Sequence, residues 1–97
     1  MQHYRDKKVL VLGMGVSGKA AAQLLLNCGA LVWAIDQNAR LLEHDPEIET
    51  LRKQGLNPLW EALPADPVGF SLVVLSPGVP QTHPVCVWAK KMNIRVS

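Results

Sequence analysis

The run Gly13-Met14-Gly15-Val16-Ser17-Gly18 has the spacing G-x-G-x-x-G, and Asp36 lies 18 residues beyond its last glycine. Each glycine has its own use in such a turn. Gly13 permits a tight bend, Gly15 lets a ligand reach the backbone, and Gly18 lets a helix close on a strand. A helix that opens here leaves the N–H groups of its first turn without partners, and together with the helix dipole they attract an anion. Ser17 adds a hydroxyl donor beside them. The chemistry is phosphate binding. Residues 13 to 19 also fit G-x-x-x-x-G-K, the start of a triphosphate loop, but that loop needs a hydroxyl at the next position to hold Mg²⁺ and Ala20 has none. Lys19 is therefore expected on the exposed side of the first helical turn.

Asp36 can accept hydrogen bonds from ribose hydroxyls or from the N–H of a pyrimidine base, and residue type alone does not choose between them. It could equally be a solvent-facing strand end. Ser76-Pro77-Gly78-Val79-Pro80 follows a second strongly apolar run, so it should reach the same sheet edge. Gly78 would bring bare backbone near a ligand and the prolines would stiffen the loop, although the same residues also make a rigid surface turn. His3, His44 and His83 are scattered, and no Cys–His, Ser–His–Asp or carboxylate pair is implied by spacing. No catalytic set is expected in this chain.

The elements that must position these residues alternate. Val9–Leu12 is a short apolar run ending in glycine, as a strand buried on both faces would be. Ser17 to Cys28 follows helical spacing, with Ala20, Ala21, Leu24, Leu25 and Cys28 on one face and Gly29 as a left-handed cap. A strand over 31–35 ends at Asp36, and the polar stretch 37–46 is expected to be a loop. A helix over 47–54 and a short or edge strand near 56–60, weakened by Pro58, come next. A loop with Pro64 and Pro67 leads to a strand over 71–75. Thr82 can cap a helix that carries Pro84 in its first turn and runs to about Lys91, and 93–96 is a last strand. This alternation predicts an α/β, Rossmann-like three-layer domain: a parallel sheet of about five strands flanked by helices. The sheet ends without a covering helix, which suggests a piece of something longer.

The 97 residues hold 10 Lys+Arg against 8 Asp+Glu and are 48% hydrophobic, so a single domain with a real core is expected and a disordered segment is excluded. The pairs Lys7-Lys8, Arg52-Lys53 and Lys90-Lys91 are too dispersed for a nucleic-acid stripe, and they read as solvated surface. Cys28 and Cys86 match no metal spacing and read as small buried hydrophobes. No run approaches the ~20 apolar residues of a membrane span, and four apolar residues after Lys8 are too few for a signal peptide. The expectation is a cytoplasmic protein with no nucleic-acid or membrane partner.

Taken together and in order, Val9–Gly18, Ala34-Ile35-Asp36, Leu75–Val79 and His83-Pro84 resemble the N-terminal domain of the Mur ligases, in particular the D-glutamate-adding branch. The resemblance spans nearly the whole chain. It implies that residues 1–97 are an N-terminal domain binding the UDP part of UDP-N-acetylmuramoyl-L-alanine in peptidoglycan precursor synthesis. Gly15, Val16 and Ser17 would receive the diphosphate, Asp36 and Gln37 would meet the uracil, and Gly78 would contact the nucleoside. It further implies central ATP-binding and C-terminal domains beyond this chain, where ATP, Mg²⁺ and D-glutamate would be used to form an amide through an acyl phosphate. This domain itself would need no cofactor and would not catalyse. Gln37 and Asn38 stand where many relatives have a small hydroxyl residue and then a basic one. Two other readings compete. A domain binding NAD or FAD, in an oxidoreductase or a nucleotide-sensing regulator, explains the glycines and Asp36 but not the S-P-G-V-P loop with H-P. A protein-interaction domain without a ligand does not need Gly15, Ser17 and Asp36.

Overall fold

The computed structural model describes residues 4–38, 43–59 and 69–97. The elements run in the order β1 (Lys8–Leu12), α1 (Val16–Asn27), β2 (Leu31–Ile35), α2 (Pro46–Lys53), β3 (Asn57–Pro58), β4 (Phe70–Leu75), α3 (Pro84–Lys91) and β5 (Arg95–Val96). The described strands form one parallel sheet in the order β3-β2-β1-β4-β5. The expected α/β architecture is thus observed. Because the chain builds outward from β1 in one direction and then in the other, the right-handed crossovers place α1 and α2 on one face and α3 on the opposite face.

Two cores follow from the two-residue period of the central strand. Val9 and Val11 pack with Ala22, Leu25, Ile48 and Leu51 under α1 and α2, while Leu10 and Leu12 pack with Val85, Cys86 and Ala89 under α3. The register between β1 and β4 slips by one residue, from Lys8 opposite Phe70 to Val9 opposite Leu72. The extra residue, Ser71, explains how Phe70 and Leu72 face different cores although they are two apart. Phe70 meets Trp33 and Trp88 edge-on at 5.3 and 6.4 Å, and the Lys8 ammonium lies 5.2 Å from the Phe70 ring centre. Lys8 is therefore half-buried over aromatic rings, not simply solvated as its sequence context suggested.

Some local expectations need correction. The buried face of α1 is Gly18, Ala22 and Leu25, whereas Ala20 is exposed and Leu24 is 52% exposed. Glu43 and His44 are helical where a loop was expected, and α2 starts at Pro46. Strand β5 is only two residues, since Asn93, at φ 58°, is still in the turn that ends α3. Cys86 is fully buried, as expected, and burial pushes its thiol pKa up; Cys28 is only half-buried. His3, Trp60 and the stretch with Pro64 and Pro67 lie outside the described residues.

Candidate functional site

The loops after β1, β2 and β4 meet at the carboxyl edge of the sheet, where β1 and β4 send their helices to opposite faces and a crevice opens between them. Gly13 turns there with φ at 92°, and its N–H donates to the Ile35 carbonyl at 2.8 Å. A Cβ on Gly18 would lie 1.8 Å from the Gly13 carbonyl oxygen, so only glycine lets α1 close on the turn. The β4 loop is clamped to the same turn. The Ser76 N–H donates to the Leu12 carbonyl at 3.0 Å, and its hydroxyl donates to the Gly13 carbonyl at 2.9 Å.

The start of α1 is left open. Gly15 is its N-cap, no side chain accepts from the first-turn N–H groups among the described residues, and that turn holds no acidic residue. A Cβ built on Gly15 would meet nothing within 4 Å, and Val16 is 89% exposed beside it. Donors, dipole and free space therefore coincide.

Asp36 does more than its residue type announced. Its Oδ2 accepts the Met14 N–H at 2.7 Å and its Oδ1 accepts the Asn38 N–H at 2.7 Å. The carboxylate thus ties the glycine turn to the β2 loop, and each oxygen keeps a further lone pair for a ligand.

Two adjoining hollows lie between these loops. The smaller, about 110 Å³, is lined by residues that include Asp36, Gln37, Gly78 and His83. The larger, about 360 Å³, is lined by Gly15, Val16, Ser17, Asp36, Ser76 and Gly78 among others. All six residues singled out in the sequence, Gly15, Val16, Ser17, Asp36, Gln37 and Gly78, are brought together here. Sequence reasoning missed Met14, whose N–H holds Asp36, and Ser76 as a clamp. It also missed His83, whose place at the helix start was noted without a role.

Lys19 is not exposed as expected. Its ammonium is ion-paired with Asp45 and lies 3.8 Å from Glu47, both at the start of α2. The hydrogen bond to Asp45 holds the Lys19 pKa up, and the same bond holds the Asp45 carboxyl down. A lysine so committed, followed by Ala20, does not fit the triphosphate-loop pattern. A larger hollow of about 530 Å³ lies between α1 and α2, but its charged lining is this same Lys19 with Glu47, already paired. No cluster of three or more His, Cys, Asp or Glu side chains that could hold a metal ion occurs among the described residues. No helix among them is long and apolar enough to cross a membrane.

Comparison with known proteins identifies the family. The family described as "Mur ligase MurD-like, N-terminal domain" matches residues 7–97. The UDP-N-acetylmuramoylalanine–D-glutamate ligase of Protochlamydia amoebophila is 40% identical over 85 residues, covering 88% of this chain and 19% of the relative. The ligase of the same name from Frankia casuarinae is 44% identical over 88 residues, covering 91% of this chain and 18% of the relative. That from Streptococcus mutans is 35% identical over 98 residues, covering 99% and 21%. The chain therefore spans about a fifth of the length of these curated relatives. Among solved structures, a functionally unknown conserved protein from Silicibacter pomeroyi superposes with TM-score 0.60 at 18% identity, over 89% of this chain and 30% of that one. The ligand-free 5-ketofructose reductase of a Gluconobacter strain superposes with TM-score 0.52 at 20% identity, over 74% and 27%. These two likenesses show a shared fold.

Proposed function

The chain belongs to the MurD-like N-terminal domains of the Mur ligase family, and from that premise we propose that it holds the uridine diphosphate end of UDP-N-acetylmuramoyl-L-alanine. The observation that carries this reading is the open N-terminus of α1 standing beside a hollow lined by Asp36 and Gln37. The diphosphate lies against the N–H groups that follow Gly15, with the Ser17 hydroxyl as a further donor, and Val16 flanks it. Asp36 and Gln37 line the smaller hollow with the acceptors and donors a base edge needs, and the larger hollow, beside the open start of α1, suits phosphates and sugar. Asp36 accepts from the uracil N–H with its remaining lone pairs, Gln37 offers both a donor and an acceptor to the base edge, and Gly78 lets the nucleoside approach.

In this reading the whole protein is the ligase that joins D-glutamate to the alanyl carboxylate. ATP and Mg²⁺ serve that step from parts of the protein outside these residues, since Lys19 and Ala20 do not fit them. A soluble nucleotide substrate used together with ATP supports the cytoplasm as the place where this enzyme works.

Ligand-observed NMR on the 97-residue chain tests the reading, with UDP-N-acetylmuramoyl-L-alanine competed against UDP, ADP and NAD. Displacement by UDP and not by ADP or NAD is expected. Preference for NAD or ADP moves the chain to a dinucleotide-binding role, and silence from every nucleotide removes the proposal. Asp36→Ala is expected to weaken uridine nucleotides by roughly 1–3 kcal/mol. Equal weakening of every nucleotide would show that the residue acts only by holding the Met14 N–H.

A further inference from the structure

His83 is held from three sides. Its N–H donates to the Pro80 carbonyl at 3.0 Å, its own carbonyl accepts from Cys86 and Val87, and its Nδ1 accepts the Val85 N–H at 3.1 Å. It is thereby the N-cap of α3, a place where Thr82 had been expected. Pro84 sits at the first helical position and needs no partner, so the side-chain bond goes to the next free donor. A ring nitrogen that accepts a hydrogen bond carries no proton, so the neutral imidazole of His83 must carry its proton on Nε2. The same residue lines the smaller hollow, together with Asp36, Gln37 and Gly78.

We propose that His83 is a specificity-determining contact whose Nε2–H donates to a carbonyl oxygen of the base seated in that hollow, an inference that rests on the uridine diphosphate reading above. The cap makes the ring a donor of fixed tautomer, and Asp36 is an acceptor without a proton. A uracil edge offers an N–H beside a carbonyl, which answers both at once. The helix cap and the ligand contact thus use the two nitrogens of one ring, and the cap sets which of them can donate.

His83→Ser and His83→Asn each keep a side-chain oxygen able to accept the Val85 N–H, so α3 remains capped while the ring donor is removed. The probes are UDP and its 2-thio and 4-thio analogues, in which one carbonyl oxygen becomes a poorly accepting sulfur. The unaltered chain is expected to bind one thio analogue about five- to tenfold less tightly than UDP, the size of one lost hydrogen bond. Both variants are expected to lose about the same factor for UDP and to stop distinguishing UDP from that analogue. Inorganic pyrophosphate should shift the α1 amides of both variants as it does those of the unaltered chain. Folded variants with unaltered UDP affinity, or ones that lose UDP and pyrophosphate in equal measure, overturn the contact while leaving the uridine reading intact. An unaltered chain with no preference for uridine nucleotides overturns both.

Discussion

Helices α1 and α2 start on the same side of the sheet, each following a neighbouring strand, yet their N-termini are built in opposite ways. At α2, Asp45 accepts from the Glu47 and Ile48 N–H groups at 2.8 and 3.4 Å, Glu47 and Glu49 complement the dipole, and Lys19 neutralises the cap from the neighbouring helix. At α1 the cap is a glycine and the first turn has no acidic side chain. A side-chain cap stabilises a helix by about 1 kcal/mol relative to alanine but only by a few tenths relative to glycine, so α1 stays open at little cost. The contrast separates a helix start that the chain completes by itself from one that an outside anion can complete.

Gly18→Ala should break the contrast most severely, because a methyl group 1.8 Å from the Gly13 carbonyl oxygen drives α1 off the turn. A loss of about 4 kcal/mol or more is expected in urea unfolding, or failure to fold at all. Gly15→Val separates the site from the fold. Nothing crowds its Cβ, so the variant should stay folded, with Tm lower by at most about 4–8 °C, while uridine diphosphate binding disappears from NMR titrations. Retained binding in a folded variant would remove the diphosphate from this turn.

Asp45→Ala should sharpen the contrast in the other direction. It is expected to lower Tm by about 4–8 °C and to leave UDP affinity within about twofold, since the α2 start is internal to the fold. The pH profile of that difference is set by the pair. The folded Asp45 carboxyl is held below its unfolded value and Lys19 is held above its own. Their contribution is therefore complete between about pH 4 and 10, is lost as acid protonates Asp45, and is lost as base deprotonates Lys19. The Tm gap between the two chains should close toward about pH 2. A gap that persists undiminished there would mean that Asp45 acts as an uncharged cap of the Glu47 and Ile48 N–H groups and not through its ion pair with Lys19.

What the sequence made legible was whatever depends on near neighbours. The glycine turn, the strands on either side of it and the grouping of all six site residues at one edge follow from apolar runs ending in special residues. The inward face of α1 was misplaced because the run from Ala20 to Leu26 is apolar at every position but Gln23, so several faces fit equally well. Tight packing at Gly18 sets the phase instead, and counting from it gives Ala22 and Leu25. The cap of α3 was readable, since Pro84 in the first position leaves His83, not Thr82, as the residue before it. Two facts could not be read locally. The Lys19–Asp45 pair spans 26 residues and the Met14–Asp36 bond spans 22, and each depends on crossovers that only the assembled sheet defines.

The two hollows at the sheet edge share Gly13, Asp36, Gly78 and Val79 as common walls. A molecule that carries a ring and phosphates on one skeleton therefore makes its second contact at an effective concentration set by its own covalent bonds, not by the solution around it. Uridine alone and pyrophosphate alone should each bind feebly, and the joined molecule should exceed both by far more than either part suggests. The division of the site into two adjoining rooms makes it a reader of linkage.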